Sequence, residues 1–557
     1  MLSTSSSLAF RSLLKAAAAK SGLARASARL TGPTAAATAF HAAALAQDTV
    51  VFLVVPTDAD VESFTADARF FLAALKGLSG SEVAEQVLPF PSQEVDPYRG
   101  LTPHFEVASA RARALFGLVS GRARVVIASA RALAPRLSDP ARLTATALTL
   151  KPGLEIAPQE LGERLAMAGF SPEDPVDEHG EFCVRGGIVD LYPAADSQPL
   201  RLEFIGDIIE SIRQYDAATQ RSLSGVGAVV VSPQRELLPD PAASDDPLMF
   251  DRSATIVDYA RLAGAALTIF ELDDVQERGR ALEEQWRASA LDMTARGRTI
   301  VPFEQLAVPW DDVAAWLGAG RRITQLAIDE SEDAGDTHLS CAPTLEYRGR
   351  INDWIAEVRK ARDRGDITVF VAATAGRAER TLELLADYEV RARSVADADD
   401  LERAAVLVTT GQLSKGFHLP AAALQIFTET DLFEEERRAN ERRRSAARSF
   451  ISDFRDLKIG DLVVHVDNGI GRFVGLKTLS TGPLDSARGG TGASQEFMEL
   501  RYADEDKLFV PLERLDLVQK YSGGANPALD RLGGPSWGKR SGEHTSELQS
   551  RFGISYA

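Results

Sequence analysis

Short apolar runs of the kind found in buried parallel strands recur along this chain and alternate with segments of helical period. The run "TVVFLVVP" at 49–56 precedes "DVESFTADARFFLAAL", whose apolar residues recur at helical spacing, and "ARVVIASARAL" follows at 123–133. Strands that are apolar along their whole length occur where helices cover both faces of a parallel sheet. The pattern therefore predicts an α/β layer fold from about residue 30 to residue 140.

The pattern then changes several times along the chain, which predicts a multidomain α/β protein. Residues 144–236 alternate with a period of two and carry a hairpin signal at Gly206-Asp207, so a β-rich domain is inserted there. An α/β pattern resumes at 237–336, and a second α/β domain follows at 337–450 with strands such as "ITVFVAA". Two hairpin signals, one at Asn468-Gly469, predict a compact β unit within 451–539. The first domain accordingly occupies 1–143.

Composition limits the classes of function. A chain of 557 residues is expected to form about 3–5 domains. The net charge of −18 argues against a generally basic nucleic-acid coat. Cys183 and Cys341 are the two cysteines and stand outside any CxxC, so neither a disulfide scaffold nor a zinc site is predicted, and a reducing cytoplasm fits. No apolar run approaches the roughly 20 residues that span a bilayer, so no membrane partner is expected.

The N-terminal segment allows two interpretations. No Asp or Glu occurs from Met1 to Gln47, and Ser, Ala, Arg and Lys are frequent, which is also the composition of an organellar transit peptide. Leu13, Leu14 and Ala17 recur at helical spacing, which favours an Ala-rich helix packed on the first domain. We prefer the helix.

The loop "LTGPTAAATAF" at 30–40 has the outline of a phosphate-binding loop without its chemistry. In the pattern GxxxxGK[ST], backbone N–H groups hold the phosphates, lysine reaches the β and γ oxygens, and the hydroxyl binds Mg²⁺. Gly32 fills the first position, but Ala37 replaces the second glycine, Thr38 replaces the lysine and Ala39 replaces the hydroxyl residue. We predict that this loop does not bind ATP, and no nucleophile–base pair or metal-ligand spacing stands out elsewhere.

Several stretches, taken in order, resemble one family. The segment "EHGEFCVRGGIVDLYP" followed by "PLRLEFIGDIIESIRQYDAATQRS" resembles the second domain of UvrB and, more closely, that of the bacterial transcription-repair coupling factor (Mfd) family. "GQLSKGF" and "IFTETDLF" resemble the third domain of that family, and "IGDLVVHVDNGIGRFVGL" with "MELRYADEDKLFVPLERLDLVQKYSGG" resembles its RNA-polymerase-interaction domain. The resemblance runs from about residue 30 to residue 537.

The resemblance implies a fold and a set of partners. It implies a UvrB-like α/β domain with an inserted β-rich domain, a further α/β domain and a small C-terminal β barrel of the Tudor or CarD type. It implies binding to the RNA polymerase β subunit and to UvrA in nucleotide-excision repair. The ATP- and Mg-dependent translocase domains, which in this family make most of the DNA contact, would follow the barrel, so we expect this chain to be a non-enzymatic fragment with no cofactor of its own. Residues 540–557 depart from the family pattern and resemble a translated sequencing adapter, so we expect them to be non-native.

The resemblance also assigns roles to residues of the inserted domain. Two arginines and a large apolar residue bind UvrA in the family, and these positions correspond to Arg185, Arg201 and Ile205, where the family often has phenylalanine at the last. Alternation along "PLRLEFIGD" independently predicts a core face and an exposed face, the first with Leu200, Leu202 and Phe204, the second with Arg201, Glu203 and Ile205. An alternative is that the arginines are solvated and pair with local carboxylates. Gly186-Gly187, directly after Arg185, predicts a bend in the strand.

For the polymerase contact, the resemblance implies docking partly through an edge strand, and we select Leu500, Arg501, Tyr502 and Lys507. Alternation puts Leu500 and Tyr502 on one face, so an alternative for these two is that they fill the barrel core. Two other functions remain open. A UvrB-type repair helicase or ATPase would need the missing lysine, and an organellar DNA-binding protein with a cleaved leader would begin near residue 30.

Overall fold

Parallel strands and the helices that cover them form the framework of the larger part of the chain, as the apolar runs predict. The computed structural model describes residues 4–99, 103–193, 198–217, 219–239, 250–326, 336–395, 406–433, 460, 462–465, 469–480, 494–503, 506–511 and 518–520. The chain divides into two compact units, residues 1–434 and 435–557.

Helices and strands alternate through the first segment and again after the insertion. The first segment contains α1 (Thr4–Ser21), β1 (Arg29–Thr31), α2 (Ala35–Leu45), β2 (Val51–Val55), α3 (Asp58–Lys76), α4 (Gly80–Gln86), β3 (Val87–Phe90), α5 (Phe105–Val119), β4 (Val125–Ser129) and α6 (Pro140–Thr146). The insertion contains β5 (Leu148–Leu150), α7 (Pro158–Met167), β6 (Ser171–Pro172), β7 (Glu181–Arg185), β8 (Ile188–Leu191), β9 (Leu200–Ile205), β10 (Ile208–Tyr215), β11 (Ser222–Gly225) and β12 (Val229–Val231). The first fold resumes with α8 (Ile256–Leu262), β13 (Ala266–Phe270), α9 (Leu272–Ala295), α10 (Phe303–Leu306), α11 (Trp310–Gly318), β14 (Arg321–Thr324) and β15 (Asp336–His338).

The remaining elements form a second α/β layer and the C-terminal unit. The second layer contains β16 (Ala342–Pro343), α12 (Ile351–Arg364), β17 (Ile367–Ala372), α13 (Ala375–Asp387), β18 (Ala392–Ser394), β19 (Val406–Thr410), β20 (Phe417–Leu419), β21 (Leu424–Thr428) and α14 (Glu429–Leu432). The C-terminal unit contains β22 (Leu462–His465), β23 (Gly469–Ser480), β24 (Ser494–Arg501), β25 (Lys507–Pro511) and β26 (Val518–Lys520).

The first sheet is parallel and has seven strands in the order β15-β1-β14-β13-β2-β4-β3. Every residue of β2 and β4 is buried, which explains why both are apolar apart from Ser129 at the end of β4. The insertion, which runs from β5 to β12, separates the strands of this sheet along the chain. It contributes no strand to the sheet, because β5 and β12 pair with each other. Because β15 pairs with β1, the domain boundary expected after residue 336 falls inside a strand of this sheet.

The inserted domain is a six-stranded sheet in the order β11-β10-β9-β8-β7-β6. Helix α7 packs on one face through Leu161 and Leu165, against the core that contains Leu200 and Leu202. The hairpin at Gly206-Asp207 is confirmed, since Ile205 pairs with Ile208 and Gly206 has the positive φ of 61° that such a turn favours in glycine. The bend expected at 186–187 is wrong, because these two glycines form a second tight turn between β7 and β8.

A single hydrophobic core joins the first sheet to the second α/β sheet, whose strand order is β16-β20-β21-β17-β19-β18. Helices α1, α2 and α3 contribute to this core, as do strand residues on both sides of them. Phe71 of α3 stacks on Phe40 of α2 with ring centroids 4.5 Å apart and lies 6.0 Å from Phe417 of β20. Leu14 of α1 is completely buried in the same core, so the interpretation of the N-terminal segment as a packed helix is confirmed.

A buried carboxylate also links the two layers. Asp67 on α3 accepts hydrogen bonds from the Ser414 backbone N–H and from the Ser414 hydroxyl, each at 2.6 Å. Removal from water raises the pKa of Asp67 to about 7, although the two hydrogen bonds oppose that change. The folded chain therefore holds a proton on Asp67 over a pH range in which the unfolded chain has lost it.

Asp67→Asn is expected to remove this pH dependence. A raised carboxyl pKa stabilises the fold fully below the ordinary Asp value of about 3.8, and this stabilisation is lost as pH rises towards 7. The asparagine amide still accepts from the Ser414 N–H and buries no charge. In urea unfolding, the free energy of unfolding of the variant minus that of the parent should rise by about 2–3 kcal/mol between pH 5 and pH 8. A difference that stays constant over this range contradicts the assignment.

The C-terminal unit is an antiparallel sheet of five strands in the order β25-β24-β23-β22-β26. Its core contains Val463, Phe473, Met498, Leu500 and Val510. Strands β25 and β26 form the two edges and do not pair with each other among the described residues, so closure into a barrel stays a prediction. The tail at 540–557 and the charged segment at 434–450 lie outside the described residues.

Candidate interaction surfaces

Two arginines of the inserted domain converge on one buried carboxylate. Asp190 lies on β8, between β7 with Arg185 and β9 with Arg201, and is completely buried. Arg185 donates from Nη2 to Asp190 Oδ2 at 2.6 Å. Arg201 donates from Nε to Oδ1 at 2.7 Å and from Nη2 to Oδ2 at 2.9 Å, which is the two-point geometry favoured by guanidinium and carboxylate. The carboxylate pairing that the alternative describes is thus present, and the UvrA-binding role of the two arginines stays a prediction.

The two arginines differ in how much of each side chain reaches solvent. Arg185 remains 43% exposed and makes a second ion pair with Asp174 Oδ1, 3.1 Å from Nη1. Arg201 is 20% exposed, lies 4.6 Å over the ring of Tyr215, and donates to Gln220 Oε1 at 3.2 Å. The hydrogen bonds to Asp190 raise the pKa of both arginines, so both carry full charge at any physiological pH.

Three isoleucines lie at the hairpin ends beside these arginines. Ile205 is 65% exposed and pairs with Ile208, while Ile188 pairs with Arg185 and with Glu203. All three share the sheet face of Arg185 and Arg201, opposite the face covered by α7. We call this surface the arginine face, defined by Arg185, Arg201, Ile188, Ile205 and Ile208. It joins fixed positive charge to exposed apolar area, a composition common at the centres of protein interfaces.

The C-terminal sheet presents a second charged surface. Arg472 on β23 pairs with Arg501 on β24, which pairs with Lys507 on the edge strand β25. Arg472 and Lys507 are exposed, and Arg501 is partly exposed. We call these three residues the basic row. On the same face Lys477 Nζ lies 2.7 Å from Glu499 Oε2, and that contact lowers the pKa of the Glu499 carboxyl.

Leu500 and Tyr502 occupy the core instead of this surface. Leu500 is completely buried, pairs with Phe473 and Leu508, and belongs to the same cluster as Tyr502. The prediction that Leu500 and Tyr502 contact the polymerase directly is therefore corrected, because a buried side chain offers no area to a partner unless the sheet unfolds. Arg501 and Lys507 remain accessible.

Three families match successive parts of the chain. The UvrB interaction domain matches residues 148–237, which contain the arginine face. The domain described as MFD, D3 matches residues 364–432, in the second α/β layer, and the CarD-like/TRCF RID domain matches residues 457–522, which contain the basic row.

Three proteins that share one name match most of the length of this chain. The transcription-repair-coupling factor of Haemophilus influenzae is 27% identical and covers 82% of this chain, and that of Bacillus subtilis is 26% identical and covers 86%. The Myxococcus xanthus protein of the same name is 29% identical over 86% of this chain. This chain resembles transcription-repair-coupling factors. It spans 43–44% of the length of these three relatives.

The loop at 30–40, which departs from the phosphate-binding pattern, packs against other parts of this chain. Gly32 has a φ of 92°, and a Cβ there would collide with Leu339 O. Ala37, Thr38 and Ala39 lie inside α2 and are completely buried. The residues at the positions of the phosphate-binding lysine and the metal-binding hydroxyl therefore face protein instead of solvent, and they do not fit a bound nucleotide.

The described ranges contain neither a candidate metal site nor a membrane-spanning helix. No group of three or more His, Cys, Asp or Glu side chains is placed to hold a metal ion in this part of the chain. No described helix is both long and apolar enough to cross a membrane.

Sequence reasoning located the arginine face but missed two of its isoleucines and the buried aspartate that holds its arginines. The core and exposed faces of β9 are as predicted, with Leu200 and Leu202 buried and Ile205 exposed. Asp190 was not singled out, although alternation along "RGGIVDLYP" places it on the face opposite Val189 and Leu191. Ile188 and Ile208 were missed because their positions beside Ile205 depend on how the strands pair.

Proposed function

We propose that this chain is a docking module of transcription-coupled nucleotide-excision repair. It binds UvrA through the arginine face and the β subunit of RNA polymerase through the C-terminal sheet. Both surfaces lie in segments that match interaction-domain families, and the relatives carry the name transcription-repair-coupling factor. The observation that carries the proposal is the arginine pair fixed on buried Asp190 beside exposed isoleucines.

The physical argument for a protein partner is that this surface is rigid before binding. Both guanidinium groups are already oriented by a carboxylate in the middle of a sheet, so little side-chain entropy is lost when a partner docks. The isoleucines supply apolar area beside them. The partner surface must then offer acidic groups and an apolar contact.

Ile205→Asp tests the UvrA contact. The change removes exposed apolar area and adds a like charge facing the acidic partner surface, so affinity for purified UvrA is expected to fall at least about tenfold by calorimetry or surface plasmon resonance. Ile205 is largely solvent-exposed, so thermal unfolding should barely change. Arg164→Ala on α7, on the opposite side of the sheet, is the matched control within the same domain and should bind like the parent. Equal affinities of parent and Ile205→Asp refute the UvrA assignment.

For the polymerase, charge reversal in the basic row is the informative change. The pair Arg501→Glu and Lys507→Glu alters exposed cations and is expected to weaken β-subunit binding about tenfold and to reduce its salt dependence. Lys360→Glu, an exposed lysine on α12, is the control and should leave binding unchanged. Leu500→Arg is not a test of contact, because a charge at that buried position disrupts the sheet core.

ATP hydrolysis does not form part of the proposed activity of this chain. The lysine and hydroxyl that a phosphate-binding loop needs are replaced by Thr38 and Ala39, both buried in α2. The purified chain should therefore show no magnesium-dependent ATP turnover, and turnover that saturates with ATP would instead favour a UvrB-type ATPase. In this proposal the motor activity and most DNA contact belong to domains of the full-length relatives that this chain does not span.

A further inference from the structure

Arg185 contacts two carboxylates that differ sharply in burial. Asp190 is completely buried, 2.6 Å from Arg185 Nη2. Asp174 has a side chain that is 56% exposed, 3.1 Å from Arg185 Nη1. One guanidinium group therefore lies between a fixed anion and an accessible one.

Asp190 is held by three hydrogen bonds and by the pairing of its strand. It accepts one hydrogen bond from Arg185 and two from Arg201, and its strand is paired on both edges within the sheet. A buried carboxylate bound by two guanidinium groups has no solvated alternative, so it stays in place and fixes both arginines. It also reduces the repulsion between their two positive charges.

Asp174 has a much weaker hold on Arg185. It lies outside the regular strands, and exposed ion pairs of this kind contribute little because water and salt screen them. An incoming carboxylate can replace Asp174 on Arg185 at small cost, while Arg201 stays bound to Asp190.

We propose that these two aspartates act on the arginine face in opposite directions. Asp190 is a positioning residue that keeps both arginines in binding geometry, and Asp174 competes with a carboxylate of the partner for Arg185. The inference rests on the proposed function that the arginine face binds UvrA.

The test compares two substitutions that each remove one negative charge, measured as affinity of the full chain for purified UvrA. Asp190→Asn is expected to weaken binding about tenfold or more, because an amide accepts from one arginine and turns its donors towards the other. Asp174→Asn is expected to tighten binding about two- to fivefold at low salt, with the gain disappearing at high salt. In an Arg185→Ala background, Asp174→Asn should give no gain. Glu163→Gln on α7, on the opposite side of the sheet, is the control for charge alone and should have no effect.

A second measurement separates failure of this inference from failure of the proposed function. Hydrogen exchange of the arginine Nε–H groups, followed by NMR, reports the positioning directly and needs no partner. The Arg201 signal should exchange slowly in the parent and in Asp174→Asn, and rapidly in Asp190→Asn. If Asp190→Asn lowers the melting temperature substantially, Arg201→Lys replaces it. That variant keeps the charge but loses the two-point contact, and should also weaken binding.

The possible results are distinct. Affinities that move in the same direction for both aspartate variants overturn the inference, as does a gain from Asp174→Asn that survives loss of Arg185. Absence of UvrA binding by the parent overturns the proposed function and with it the competition by Asp174, while the exchange measurement still decides whether Asp190 positions the arginines.

Discussion

Leu14→Asp is expected to unfold the larger unit at temperatures where the parent is fully folded. Leu14 is completely buried on α1, in the core shared by the two α/β layers. Truncation of a buried leucine alone costs about 2–5 kcal/mol, and burying a carboxylate without a partner adds to that cost. Thermal and urea unfolding should show a loss comparable to the whole stability of a typical domain.

The neighbouring lysine provides the control for this prediction. Lys15 is exposed on the same helix, so Lys15→Asp introduces the same side chain one residue later in the chain. Its effect should stay within about 0.5 kcal/mol, apart from small helix-charge terms. Similar losses for the two variants would mean that α1 is not packed in the core.

Arg111→Ala is expected to cost about 3–5 kcal/mol, because it leaves a buried carboxylate without its cation. Arg111 on α5 is completely buried, donates from Nε to Glu236 Oε2 at 2.6 Å and from Nη1 to Pro91 O at 2.6 Å, and lies 4.0 Å over the Phe90 ring. Glu236 lies at the C-terminal end of the inserted domain, so the ion pair fixes the point where the chain returns to the first sheet.

Replacing both members of the Arg111–Glu236 ion pair tests this prediction further, with stability as the measurement. The Arg111 Nη2 atom is buried without a hydrogen-bond partner among the described residues, so the pair is incompletely satisfied. Arg111→Met combined with Glu236→Leu should therefore recover most of the loss, since an apolar pair buries no charge. Arg280→Ala, an exposed arginine on α9, is the control. A double variant as unstable as the sum of its single variants would show that the charges themselves are required.

The sequence predicts the layers of this fold well, because a strand that is buried on both faces has a continuous apolar sequence. The strands β2 and β4 were recognised from continuous apolar runs, and α1 from helical spacing. The edge strand β15 has no such pattern, since "DTH" is polar and short, so its assignment to the first sheet depends on tertiary pairing with β1. The same limit applies to the turn at 186–187, where glycine permits both a bend and a hairpin.

For the sites, alternation predicts which residues share a face and does not predict which face is covered. In β9 the charges of Arg201 and Glu203 identify the exposed face. In β24 and the residue after it, Met498, Leu500 and Tyr502 alternate with Glu499 and Arg501, but only the packing shows that Leu500 and Tyr502 belong to the core. Asp190 was missed for a related reason, because a lone aspartate in a strand usually indicates solvent, and its burial depends on two arginines from neighbouring strands.

The shared core around α1, α2 and α3 has a mechanical consequence. Because those helices contact strand residues of both sheets, neither sheet can slide or rotate against the other without exposing aromatic rings such as Phe71 and Phe417 to water. Load applied to the second layer is therefore transmitted to the first without a hinge, and the two should melt in one calorimetric transition. Such a stiff frame suits the docking role proposed above, because it holds the inserted domain on a fixed base.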